Sequence, residues 1–473
     1  MFEEVRDLDI FYPSLFSRYI NKEQDVLQYF SAPYPQEESY EKLVGQLKVV
    51  RAGDLPGFLD TKPGESLILP GTRLLEKKFR DNQTLFVITG QQPGLLTGPL
   101  YSIYKALTAV KLADRLEERL NKPVQPLFWV ASEDHNVFNL LRLFLLNPQG
   151  KISRVRLAFP GFGPPAGEIT LHKKDMVTVL DRLEEITPKT HHKDEVMSAL
   201  RDITAQSSTL TDWFVYLMQF LFHRRLGFID PLRLSKNGAY TPLLLKTLEM
   251  GPQIHRCIDQ QEKKLMESGF SPQVKRTGQE SFIMIVWKGR RYALYRDKDT
   301  FYTSKGELSL TRYELTSMIH SEPGCFSPNV LLRPIFQDSL FPNLAYVAGP
   351  GELAYFAQIK GVYRLFGIPM PVVFPRQGAT LVTSGQEAFC REQGLTLHDA
   401  LQYARLVCEN PEKKEGESWQ MEKVREFLWP RCSPQERVFN IFPFMLEHGL
   451  SFWKKFSTDF PAQEGHYIYY LRE

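Results

Sequence analysis

The sequence is poor in cysteine. Cys257, Cys325, Cys390, Cys408 and Cys432 are the full set among 473 residues. They are odd in number, scattered and never at C-x-x-C spacing, which argues against a disulfide framework or structural zinc and points to a reducing cytoplasm. H-E-x-x-H and H-x-x-x-H are both missing, so no metal is expected. Long hydrophobic runs are missing too. No stretch reaches the ~18 apolar residues of a spanning helix, and the opening "MFEEVRDLDIFYPSLF" carries acidic groups where a secretory signal would be apolar. No membrane partner is expected. Nor is there an excess of one charge: Lys+Arg 58 against Asp+Glu 55 gives +3, without the basic block that grips nucleic acid. Repeats of fixed period and low-complexity tracts do not occur.

What the chain has is apolar residues in plenty, 43% against 24% charged, enough to bury a large core or two. The segment up to about residue 80 is polar, aromatic and helix-leaning, broken by "PYPQEE", and is read as an N-terminal helical arm. From Thr84 the texture changes. "TLFVI" reads as a buried strand, "TGQQPGLLTGP" as a loop, and Leu100, Ile103, Leu107, Val110, Ala113, Leu116 and Leu120 as one helix stripe. After breakers at Pro123 and Pro126, "LFWVA" is a second strand, which completes a βαβ unit. Residues 165–225 read as mostly helical, and about 278–320 as inserted β-hairpins. "NVLLRPIFQDSLFPNLAYVAGPGELAYFAQIKG" reads as strand, turn, strand, glycine loop and helix. The fold class is therefore α/β, a Rossmann-like doubly wound parallel sheet occupying 81–376. It carries inserted helical and hairpin segments, then a reduced helical segment over 377–434 and a C-terminal return to the core over 435–473, closed by the strand "HYIYYL".

In such a sheet ligands sit outside the carboxyl ends of the strands, where helix N-termini offer free N–H groups. Three stretches fall there. The first loop offers Gly90, Gln91, Gln92, Gly94, Thr97 and Gly98, with Lys105 one turn into the helix. It matches neither G-x-G-x-x-G nor the phosphate-binding G-x-x-x-x-G-K-[ST], so a plain strand-to-helix turn stays open beside a ligand loop. "SEDH" places Glu133, Asp134 and His135 at the end of the second strand, a turn with a cap or a cluster of ionisable groups for chemistry. "AGPGE" repeats the arrangement with Gly349, Gly351 and Glu352, followed by Tyr355 and Gln358, and "RPIFQDSL" before it supplies Arg333, Gln337 and Asp338.

These stretches resemble the cysteine ligase family of bacillithiol biosynthesis (BshC). The resemblance runs in order through "TGQQPGLLTGPLYSIYKA", "FWVASEDHN", "GFIDP", "FSPNVLLRPIFQDSLFPNLAYVAGPGELAYFAQIKGVY", "MPVVFPR", "QERVFN" and "HYIYYL". It implies a cytoplasmic enzyme that attaches L-cysteine to the amine of glucosaminyl malate, built on a Rossmann-type core with a C-terminal coiled coil that pairs two subunits. Amide formation from a free carboxylate needs activation, so ATP is a candidate, although the resemblance assigns no cofactor. In that chemistry Asp134 or His135 would handle the amine proton, Gln91, Gln92 and loop N–H groups would hold oxyanion or phosphate oxygens, and Lys105 would supply charge.

Two departures stand out. Between "VVFPR" and "QERVFN" the chain is short, interrupted by Pro411 and without sustained heptads, which predicts a monomer or weak homodimer. Pro93 also stands where a small residue is expected. Two other readings stay open: another ATP-dependent amide-forming ligase, and a non-catalytic relative that binds a nucleotide or thiol metabolite.

Overall fold

The computed structural model describes residues 2–47, 84–135, 140–147, 151–159, 164–410 and 418–471. Its centre is a five-stranded parallel sheet made of β1 (Leu85–Gln91), β2 (Val124–Val130), β3 (Gly227–Ile229), β4 (Asn343–Ala348) and β5 (Val372–Pro375). The order across the sheet is β5-β4-β1-β2-β3. The chain builds outward from β1 to β3, then crosses back to lay β4 on the other side of β1. That reversal is the switch point of a Rossmann-type sheet, and it opens a crevice between the carboxyl ends of β1 and β4.

The sequence explains the core elements. β2 and β4 are buried along their whole length, as expected of strands covered by helices on both faces. Helix α1 (Leu100–Leu120) buries the predicted stripe as far as Leu116, with Leu120 half-buried, and stops at Asn121, whose left-handed φ of 48° ends the helix two residues before Pro123. Helix α2 (Thr241–Glu267) packs beside α4 (Pro350–Phe366).

The segment "NVLLRPIFQDSL" differs from its predicted strand and turn. A three-residue strand, Phe326–Pro328, leads into α3, a helix over Arg333–Leu340. The Asn329 side chain accepts from the Leu331 and Leu332 N–H groups at 3.1 Å, and Pro334 sits in the first turn, where its missing N–H costs nothing. A short apolar run cannot by itself distinguish a strand from a buried helix.

Around the core, helices Lys173–Ile186, Lys193–Gln206 and Leu210–Phe222 fill the first insertion. An antiparallel sheet that includes Glu280–Trp287, Arg290–Asp297 and Thr300–Thr303 fills the second. The residues read as an N-terminal arm lie partly outside the described residues. Those within 2–47 pack on the core: Tyr19 donates to the Val373 carbonyl at 2.6 Å, and Lys360 to Gln28 and Phe30 carbonyls at 2.7 and 2.8 Å. The strand His466–Leu471 lies between Phe2–Glu4 and Gly378–Thr383, which joins the two ends of the described chain. Among the described residues between Gln377 and Pro434 the helices are short, Ser384–Glu392, Leu397–Glu409 and Trp419–Leu428, and a longer helix, Ile441–Asp459, follows with a break at Gly449. Cys408 and Cys432 are bridged, with Cα atoms 5.3 Å apart. This corrects the cysteine reading, since spacing rules detect local pairs and these two are 24 residues apart.

Candidate functional site

The crevice at the switch point is a cavity of about 740 Å³, and both glycine loops border it. On the β1 side Gly90, Gln91 and Gln92 form its wall, and on the β4 side Gly349, Gly351 and Glu352 do. Gly90 is required by packing: a Cβ there would lie 2.7 Å from the Trp129 carbonyl oxygen and 2.9 Å from Trp129 Cβ on the neighbouring strand. At Gly349 a Cβ would stand 3.4 Å from Arg376 Nε, against the wall of the cavity.

One ion pair ties the loops together. Lys105, reaching back from α1, sits 2.6 Å from Glu352 Oε2 and also donates to the Gly90 carbonyl. Glu352 accepts from the Gly349 N–H and the Tyr346 hydroxyl, each at 2.8 Å. Burial pushes the Lys105 ammonium below its ordinary pKa, opposed by Glu352. Lys105 is thus a bracket between the loops and less a free charge awaiting an anion.

Asp134 lines the cavity from the end of β2. It accepts from the Gln92 amide and, at 2.8 Å, from the His135 N–H. The His135 ring lies 3.7 Å from Asp134 on the half-exposed side, and burial, with the charge of Arg291, lowers its pKa against the pull of Asp134. Neutral imidazole is therefore favoured there at pH 7. Tyr355, also on the wall, faces Arg333, which its hydroxyl helps to hold well above the ordinary arginine pKa against burial.

The other predicted site residues lie elsewhere. Gly94, Thr97 and Gly98 form the far end of the first loop, where Leu96 and Thr97 are left-handed at φ 48° and 73°. The Asn440 amide donates to the Leu96 and Gly98 carbonyls and holds that turn. Glu133 is buried behind the wall, and burial raises its pKa while Arg333 and Arg291 lower it. Gln337 and Asp338 belong to a core network. Asp338 accepts from Gln337 at 3.1 Å, Asn343 at 2.8 Å and Tyr363 at 2.6 Å, and burial raises its pKa to about 6. Gln358 holds both polar groups of Val274 at 2.9 and 3.1 Å, so it positions a wall residue from behind.

Of the residues that "RPIFQDSL" offered, Arg333 is on the lining, whereas sequence reasoning missed Tyr101, Gln273, Tyr346, Arg376 and Arg437 there. Arg376 follows β5 directly, so the carboxyl-end rule that found "SEDH" could have found it. Arg437 and Gln273 reach the cavity from remote segments without a local signal. The cavity thus presents Arg333 and Arg437, and an Arg376 neutralised by Glu436 at 2.8 Å. Asp134 lines the same cavity as a hydrogen-bond acceptor. That combination suits a ligand with carboxylates and a nucleophile that must lose a proton.

Comparison with known proteins identifies the family. Residues 4–377 match the N-terminal Rossmann-like domain of bacillithiol biosynthesis BshC, and residues 387–471 match its C-terminal coiled-coil domain. A protein of Natranaerobius thermophilus named "Putative cysteine ligase BshC" is 33% identical over 74% of this chain and 65% of its own length. Relatives of the same name from Desulforamulus reducens and Heliobacterium modesticaldum are 34% identical over 63% of this chain and 56% of theirs, and 28% identical over 93% and 94%. The matched region is thus under two thirds of the length of the first two relatives and nearly all of the third. With both domains matched in order, the chain belongs to the BshC family of bacillithiol biosynthesis.

Proposed function

We propose that this chain joins L-cysteine to the amine of glucosaminyl malate, the last step of bacillithiol biosynthesis, in the cavity between the two glycine loops and within the cytoplasm. The observation that carries the reading is the Lys105–Glu352 bracket, which closes both loops around one space lined by Arg333, Arg437 and Asp134. The malyl carboxylates suit the arginines, and the sugar amine suits an acceptor at Asp134. Gln91 and Gln92 stand on the same wall to hold an oxyanion. Any nucleotide that activates the cysteine carboxyl would meet the loop N–H groups and the same cationic wall.

Mass spectrometry of the thiol product from cysteine and glucosaminyl malate, with and without ATP, tests the reaction. The parent is expected to form product. Gly351→Val is expected to form none while keeping its melting temperature, because a Cβ there meets nothing nearer than Gln273 Nε2 at 4.0 Å, so the added methyl groups extend into the cavity. A parent that forms no product under either condition overturns the reading in favour of a binding protein.

We also propose a monomer or weak homodimer. Among the described residues, helices of 9, 13 and 10 residues lie between Gln377 and Pro434, and the 19-residue helix after them is broken at Gly449, where a coiled-coil pair would need sustained heptads. Light scattering at micromolar concentration should give the monomer mass, and a dimer that survives dilution would contradict this.

A further inference from the structure

The Cys408–Cys432 bridge lies beside an unusual surface. The hairpin of Arg142–Leu146 and Ile152–Arg156 pairs Arg142 with Arg156 and Phe144 with Arg154. Leu143, Leu145 and Val155 are buried, so the alternate residues Arg142, Phe144, Arg154 and Arg156 share the outward face. Arg431, next to Cys432, lays its guanidinium 4.2 Å over the Phe144 ring. Arg431 thus joins the three hairpin arginines on the face that carries Phe144. Arg142 is held below its ordinary pKa by burial and by the charges of Arg154, Arg431 and Arg156. Like charges gathered in this way repel one another, and an anion at the patch relieves the repulsion.

The bridge is also accessible and connected to the cavity. Cys432 is exposed and Cys408 half-buried. Arg431 and Cys432 are both left-handed, at φ 52° and 55°, a conformation non-glycine residues adopt at a cost. Three residues beyond Cys432 begins the helix Gln435–Val438, which supplies Glu436 to Arg376 and Arg437 to the cavity.

We propose that Cys408–Cys432 is a thiol-exchange site, with the arginine cluster as the docking surface for an anionic low-molecular-weight thiol and Cys432 as the sulfur attacked. The thiolate of the ligand forms a bond to Cys432 Sγ. The Cys408–Cys432 bond breaks, and its electron pair leaves on Cys408 Sγ, which takes a proton from water. A second ligand thiolate attacks the ligand sulfur of the mixed disulfide and releases Cys432 as thiolate. Two ligand thiols are oxidised to their disulfide while one protein disulfide is reduced. Bridges in reducing compartments are typically transient and redox-sensing, which fits an exposed bridge beside a docking surface. Reduction frees the Pro430–Cys432 turn from helix Leu397–Glu409 and so reaches the segment that carries Glu436 and Arg437. The exchange does not depend on which reaction the cavity performs.

The test uses the full chain, oxidised in air and mapped by non-reducing peptide analysis. Its reduction by mercaptosuccinate and by uncharged 2-mercaptoethanol is timed, each rate divided by that thiol's rate with a small neutral disulfide. Because the net charge is only +3, whole-protein attraction contributes little. The expected result is an advantage of about tenfold for mercaptosuccinate at low salt, lost at high salt as screening shortens. R154Q/R156Q should remove the advantage and leave the 2-mercaptoethanol rate unchanged, since both side chains are exposed. Equal normalised rates, or Cys408 and Cys432 recovered as free thiols after oxidation, overturn the proposal.

Discussion

Replacing Glu436 by alanine is expected to cost the fold about 3 to 5 kcal/mol, because it strands a guanidinium inside the protein. Arg376 and Glu436 are both almost fully buried, and the pair is two-pronged, with one contact at 2.8 Å. Arg376 also donates to the Gln377 carbonyl at 3.0 Å. Burial pushes the Glu436 carboxyl up, but the charge and hydrogen bonds of Arg376 win, and its pKa falls below 4.5. Its contribution is therefore present above that value and is lost as pH drops through the lowered pKa. The surroundings leave no room to adjust: a Cβ on Gly378 would lie 2.5 Å from His466 Nδ1 and 2.8 Å from Glu436 Oε2. Urea unfolding should show a lower midpoint with an unchanged slope. Glu436→Leu combined with Arg376→Met should recover most of the loss, since removing both charges also removes the cost of burying them. That pair would still lose function, because Arg376 lines the cavity. If the single and double variants were equally unstable, shape and not charge would hold this corner together.

Much of this was legible in the sequence wherever one segment carries its own signal. "TLFVI" and "LFWVA" are short apolar runs bounded by glycine or proline, which is what a strand covered on both faces presents. The glycine at 90 marks a place where the backbone passes its neighbour strand too closely for a Cβ. What the sequence hid is what distant segments bring. Asn440 secures the turn after Leu96 from 344 residues away, and Arg437 enters the cavity from the same late stretch. Lys105 and Glu352 were each visible as candidates, whereas their pairing depends on the strand order that sets β4 beside β1. Asp338 looked like a site carboxylate because acidic residues near a glycine loop often are. Its three donors instead show a core group satisfied within the fold.

Asp134→Asn is expected to lower turnover by about 100 to 10,000-fold, the range that a general base contributes. Attack by an amine on an activated carboxyl releases a proton, and the acceptor must stand at the surface where the amine arrives. Asp134 does, with a quarter of its side chain exposed to the cavity. The Gln92 amide and the His135 N–H fix its orientation. Asparagine has the same shape, and Gln92 can turn its amide to present oxygen where it now presents nitrogen. The variant should therefore keep the parent's melting temperature and KM while kcat falls, because the lost function is proton transfer and not binding. His135 stands off the lining, so His135→Ala should cost less than tenfold through slackened positioning of Asp134. Product mass spectrometry under saturating substrates separates the two. If His135→Ala proved the more damaging, the imidazole held neutral by burial and by Arg291 would be the acceptor, and Asp134 its support.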